Sequence, residues 1–226
     1  MTKKKLVFSI LLIGIMYVSA ILSGFFKTKR VECYTQYGSC PDNYTQTLSW
    51  LKSQQLLIPL PHQAVFNNLN SFPEIKNVTL YRRLPSTLII SIAVRKSIGV
   101  AGPQVLGESV AVDEDGIVIG RVQDSVLPFL LLNSGPLPDS RLSPSQSLAI
   151  KALSVLAPLS PHRLNGSLKD TTLSVWLFPE TEVLINVEHQ TDIWYPSLQL
   201  ILNRAKIVAK SPHKIDLRFI DPIITN

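Results

Sequence analysis

One stretch near the start constrains this chain more than any other. No charged residue occurs between Leu6 and Phe26, and bases close the run on both sides: Lys3, Lys4 and Lys5 before it, Lys27, Lys29 and Arg30 after it. A helix of that length, rising about 1.5 Å per residue, reaches about 31 Å, the hydrocarbon thickness of a bilayer. The run predicts a transmembrane helix over 6–26 behind a cytoplasmic tail of residues 1–5. A cleaved signal peptide is the other reading, because Val18-Ser19-Ala20 resembles a small-residue cleavage site. Against it, the apolar run passes that site through Ile21, Leu22, Phe25 and Phe26 and stops at bases, as a stop-transfer anchor does. The flanking bases balance, so charge alone leaves the orientation close to a tie. The short N-terminal side is expected inside the cytoplasmic membrane and the large C-terminal body outside it, with the lipid bilayer as its first partner.

The six flanking bases equal the whole formal net charge of +6. Residues 31–226 are therefore electrically balanced, which argues against a nucleic-acid surface. With 46% apolar residues, the roughly 200 residues beyond the run can fill one or two cores. The only cysteines, Cys33 and Cys40, lie close together just after the run. Their closeness and isolation point to a small disulfide loop in an oxidising, extracytoplasmic space, with free thiols as the alternative. A metal site would need further ligands nearby, and the nearest histidine is His62. Three Asn-x-Ser/Thr triplets, at Asn43, Asn77 and Asn165, fit surface positions and imply no more.

Two patterns divide the rest. Asp42 or Asn43 caps a short helix through about Ser53, with Tyr44, Leu48 and Leu51 on one face. Leu56-Leu57-Ile58 is a short apolar stop closed by Pro59, and Pro61 opens a second helix carrying Val65, Phe66 and Leu69. A strand over Ile75–Arg83, a turn at Leu84-Pro85-Ser86 and a second strand over 87–95 follow. In that second strand Leu88, Ile90, Ile92 and Val94 alternate with period two. A lone hairpin cannot bury its apolar face, so the two helices are expected to cover it.

From Lys96 onward strands dominate: Ile98–Ala101, Ser109–Val112, Ile117–Arg121 and Leu127–Leu132. Asp113-Glu114-Asp115-Gly116 forms a hairpin turn in which Gly supplies the positive φ. Asn133–Leu142 reads as a loop. Ser143 and Pro144 start a helix that Pro158 ends. A hairpin over Leu173–Phe178 and Glu182–Val187 turns at Pro179-Glu180. A long helix begins at Asp192 and runs to about Ala209, with Leu198, Leu202 and Ala205 on one stripe. Ile215–Phe219 is a final strand, on which Asp216 and Arg218 share a face and can pair with each other or with a neighbouring strand.

Four blocks carry a family likeness. Residues 75–90, Ile-Lys-Asn-Val-Thr-Leu-Tyr-Arg-Arg-Leu-Pro-Ser-Thr-Leu-Ile-Ile, resemble the hairpin that ends the POTRA domain of the FtsQ/DivIB family of bacterial division proteins. Val110–Val118 resembles that family's Asp-Gly turn, Leu127-Pro128-Phe129 its short Leu-Pro segment, and Ile215-Asp216-Leu217-Arg218-Phe219 its terminal strand. The blocks fall in family order from about 30 to 220. Two features depart from the pattern: Val94 and Ser97 flank Arg95-Lys96 where the family usually has Glu and Pro, and the Cys33–Cys40 loop is unusual there.

The resemblance implies an α+β fold: a single N-terminal transmembrane helix, a POTRA-like domain of two short helices and a hairpin over 29–96, and a β-rich domain with two helices over 97–226. It implies a non-enzymatic, bitopic scaffold of the divisome. Such a scaffold binds small coiled-coil membrane proteins, FtsB and FtsL or DivIC and FtsL counterparts, and helps control septal wall synthesis. A terminal strand with no later strand to cover it can accept a strand from a partner. The expected partner-binding residues are Phe219, Arg218, Ile220 and Ile223.

The residues themselves offer little chemistry. His62, His162 and His213 each follow proline, and no H-E-x-x-H pairs any histidine with another. There is no G-x-S-x-G elbow, no phosphate loop, no dinucleotide fingerprint, and no S-x-x-K accompanied by the other penicillin-binding motifs. Asp113, Glu114 and Asp115 lack the further oxygen ligands and closing Glu of a calcium loop. No catalytic, cofactor, metal, nucleic-acid or small-molecule site is therefore expected. A membrane-anchored envelope hydrolase or inhibitor, and a POTRA-bearing envelope assembly accessory, are the alternative classes. The first needs a nucleophile or paired acids in a cleft; the second needs repeated POTRA units or a barrel.

Overall fold

The computed structural model describes residues 3–22, 26–54, 62–103, 109–132, 140–177, 180–208 and 210–225. The expected apolar stop at 56–58, most of the loop at 133–142 and the turn residue Pro179 lie outside them. The chain divides into two compact units, Met1–Val94 and Arg95–Asn226.

The apolar run forms helix α1, Lys3–Leu22. Its first three residues are lysines, which make the described helix less apolar than the run alone. Among the described residues no helix is long and apolar enough to cross a membrane. The transmembrane helix expected over 6–26 is overturned, and the single-pass placement that depended on it goes with it.

Beyond α1, the first unit holds β1 (Arg30–Thr35), β2 (Gly38–Ser39), α2 (Asp42–Thr47), α3 (His62–Leu69), β3 (Ile75–Arg83) and β4 (Thr87–Val94), in a sheet of order β2-β1-β4-β3. β3 and β4 form the antiparallel hairpin, and β1 adds in parallel to the other side of β4, Arg30 opposite Thr87 through Thr35 opposite Ile92. Leu88, Ile90 and Ile92 point to one face, where Leu48, Leu51, Val65 and Leu69 from the helical segments bury them. The helix expected to reach Ser53 breaks after Thr47 into a 3-10 turn, Ser49–Leu51. The Thr45 and Thr47 hydroxyls donate to the carbonyls of Asp42 and Asn43, which competes with straight helix propagation. The buried Tyr44 hydroxyl donates to Glu74 Oε1 at 2.8 Å. Burial, and then the Glu74 carboxylate beside it, push that phenol up to about 12.

The second unit contains β5 (Ser97–Gly102), β6 (Ser109–Asp113), β7 (Val118–Val122), β8 (Phe129–Leu131), α4 (Pro144–Leu156), β9 (Asn165–Lys169), β10 (Thr172–Leu177), β11 (Thr181–Asn186), α5 (Thr191–Val208), β12 (Lys214–Asp216) and β13 (Ile223–Thr225). One mixed sheet runs in the order β13-β12-β11-β10-β9-β8-β5-β6-β7. Helix α4 starts where Ser143 and Pro144 place it, in a capping box with Gln146. It lies across the middle of the sheet, burying Ala149, Ile150, Leu153 and Leu156. Helix α5 carries the crossover between the parallel strands β11 and β12 and buries Trp194 and Leu198.

Candidate functional site

The site expected at the chain end is built from three pieces: β12, the segment that follows it, and α5. The predicted strand over Ile215–Phe219 stops at Asp216, because the aspartate turns the chain on itself. Asp216 Oδ1 accepts from the Arg218 backbone N–H at 3.1 Å and from Arg218 Nε at 2.9 Å, and Arg218 Nη2 donates to Oδ2 at 2.6 Å. This side-chain-to-backbone closure ends the strand. Residues 217–222 lead into β13, which pairs antiparallel with β12, Lys214 opposite Thr225 and Asp216 opposite Ile223. The expectation of a last strand with nothing later to cover it is corrected: β13 covers β12, and β13 is the edge.

The four expected partner residues then separate. Ile223 lies on β13 and is 54% exposed. Arg218, Phe219 and Ile220 lie on the connecting segment, with the Arg218 guanidinium 5.7 Å from the centre of the exposed Phe219 ring. Ile224, which was not singled out, pairs with the buried Ile215 and so projects to the sheet face opposite Ile223.

The charges beside this edge pair with one another. Lys214 Nζ meets Glu182 Oε2 at 2.9 Å, and Ser174 Oγ donates to Glu182 Oε1. Hydrogen bonds from Lys214 hold the Glu182 carboxyl below the usual range, and hydrogen bonds from Arg218 do the same for Asp216; burial opposes both shifts. A lowered folded-state value contributes stability above the ordinary carboxylate range near 4, and that contribution is lost as pH falls through the lowered values. The second unit is expected to lose urea resistance below about pH 4. Asp216→Asn together with Glu182→Gln should flatten that loss, as read from unfolding midpoints between pH 7 and 2.5.

The other edges differ from β13. β3 carries the exposed charges Lys76, Arg82 and Arg83, a common device against edge pairing. The start of β7 is held by Val118 N–H to Ser140 carbonyl and by the Ile117–Arg141 bridge. β2 is two residues long. β13, Ile-Ile-Thr, is exposed, apolar and uncharged.

Elsewhere the charged residues are engaged in structure. Asp113 Oδ1 accepts from the N–H groups of Asp115 and Ile117, and its Oδ2 takes Arg95 at 2.5 Å, so the acidic turn is a hairpin brace. Among the described residues no group of three or more His, Cys, Asp or Glu side chains could hold a metal ion. Cys33 and Cys40 form a disulfide with Cα atoms 5.3 Å apart, closing the β1–β2 hairpin.

Sequence reasoning missed the outer face of α5. Ile193, Leu200 and Ile207 are 57%, 71% and 85% exposed. Two depressions flank this helix, one of about 110 Å³ beside Phe219 and Ile220 and one of about 390 Å³ beside Ile224. The signal was available: these three residues recur every seven positions, away from the Leu198 stripe.

No protein-family model matches this chain, and no curated protein matches it.

Proposed function

We propose that this chain is a non-enzymatic scaffold that offers the β13 edge for strand addition by a partner outside the cytoplasm, as a member of the bacterial division machinery. The observation that carries the reading is β13: an edge strand that is exposed, apolar and free of the charges that guard β3. An added strand gains main-chain hydrogen bonds there, and Ile223 and Ile224 supply side-chain selectivity on opposite faces. The disulfide supports an oxidising compartment. The division context rests on the four ordered sequence blocks and on them alone; it implies FtsB- and FtsL-like, or DivIC- and FtsL-like, partners.

A fluorescent fusion in dividing cells is expected to collect at the septum, and the purified chain to capture that partner pair. Ile223→Lys places a charge on the edge and is expected to reduce capture about ten-fold while leaving the melting temperature unchanged. Uniform signal through the division cycle would sink the division reading. Undiminished capture by the Ile223→Lys variant would sink the strand-addition reading.

A further inference from the structure

We infer that a second docking surface lies alongside α5: an apolar groove, between that helix and residues 217–224, that takes an acidic amphipathic helix. It goes beyond strand addition and rests on the scaffold reading only for the source of the helix, a coiled-coil partner.

Two depressions follow one another along the helix. At its N-terminal end Ile193 and Ser197 face Phe219 and Ile220. At its C-terminal end Leu200, Arg204 and Val208 face Ile224. Helix α5 has 18 residues, about 27 Å of rise. Its exposed Ile193 and Leu200 line the groove seven residues apart, and the exposed Ile207 continues that spacing outside both linings, each repeat turning by about 20°. A repeat of seven on one helix is the complement of a second helix packed along it, since each apolar side chain then meets a hole on the partner. A strand added to β13 engages main-chain groups at the sheet edge and leaves this seam uncovered.

Charge decides the occupant. Arg204 and Lys210 line the groove, and no lining residue of either depression is acidic. Neither base forms an ion pair with a described residue; the pairs of this unit involve Arg95, Lys214 and Arg218. A second copy of this chain would bring like charge against like charge. A helix with leucine at its heptad positions and glutamate on its flanks would bury the seam and neutralise its rim.

Two synthetic helical peptides with the same leucine heptads, one flanked by Glu and one by Lys, test this against the full chain by fluorescence anisotropy. The Glu-flanked peptide is expected to bind. Leu200→Asp and Val208→Asp, both at exposed positions, should each weaken it about ten-fold without lowering the melting temperature. Arg204→Glu with Lys210→Glu should reverse the preference toward the Lys-flanked peptide. Ile223→Lys should leave peptide binding intact, so failure of strand addition and failure of the groove can be told apart. The inference is overturned by equal binding of both peptides, by no binding of the Glu-flanked one, or by binding that Leu200→Asp leaves unchanged. It is also overturned if sedimentation shows a dimer that Leu200→Asp disperses, since that assigns the groove to a second copy.

Discussion

Replacing Leu153 with Ala is expected to destabilise the second unit by about 2–5 kcal/mol, the range for a buried Leu cut back in a well-packed core. Leu153 is fully buried, and it anchors α4 to the centre of the sheet. Its fit depends on an absence across the interface. A Cβ built on Gly166 of β9 would stand 2.9 Å from Leu153 Cδ2 and 3.0 Å from Leu173 Cδ1, closer than packed carbons tolerate. Leu153 therefore occupies the space that a side chain at 166 would need. Gly166→Ala alone is expected to destabilise, and in the Leu153→Ala background its effect should shrink, because most of its clash has gone. That non-additivity is the signature of direct contact. Leu148→Ala on the same helix, at a position 38% exposed, should cost less than about 1 kcal/mol. Urea unfolding of the four variants followed by circular dichroism measures all of this. A loss below about 1 kcal/mol for Leu153→Ala would mean that α4 does not carry the core.

The elements legible in the sequence are those whose cause is local. β4 shows a period of two in Leu88, Ile90 and Ile92, all of which are buried. Helix α4 announces itself through Ser143, Pro144 and Gln146, which make their capping contacts within four residues. What stayed hidden depends on partners far along the chain or on side-chain closures. β1 shows no strand pattern of its own, and only its parallel pairing with β4, more than 50 residues later, makes it a strand. β9 is five residues with a glycine, ordered by the Leu153 contact that no pattern displays.

The candidate site divides in the same way. Ile215–Phe219 looks like a strand by composition, yet the Asp216–Arg218 closure ends it, and that closure needs a rotamer rather than a pattern. Phe219 therefore lies in a bend where the composition suggests a strand. On α5, Leu198 was visible because buried stripes are the usual reason for apolar periodicity. Ile193, Leu200 and Ile207 follow an equally regular repeat on the opposite side, and their exposure appears only once the sheet shows which face it covers.

Gly116→Ala is expected to destabilise the second unit by about 2–4 kcal/mol, and its two causes can be separated. Gly116 closes the β6–β7 hairpin with φ at +75°, where a Cβ adds about 1–2 kcal/mol of backbone strain. A Cβ there would also stand 2.5 Å from Ser147 Oγ and 2.8 Å from Ser147 Cβ. Ser147 cannot easily retreat. The Ser143–Gln146 capping box fixes the first turn of α4, Ser147 N–H bonds to the Ser143 carbonyl, and Leu142 N–H bonds back to the Gly116 carbonyl at 2.9 Å. The turn and the helix are thus braced against each other, and the added methyl has no soft neighbour. Ser147→Gly removes the clash but not the strain. Measured against Ser147→Gly alone, to allow for glycine inside a helix, the double variant should retain only the strain of about 1–2 kcal/mol. If Gly116→Ala costs the same in both backgrounds, the turn rather than the helix contact sets the requirement for glycine, and the bracing of α4 by this hairpin is refuted.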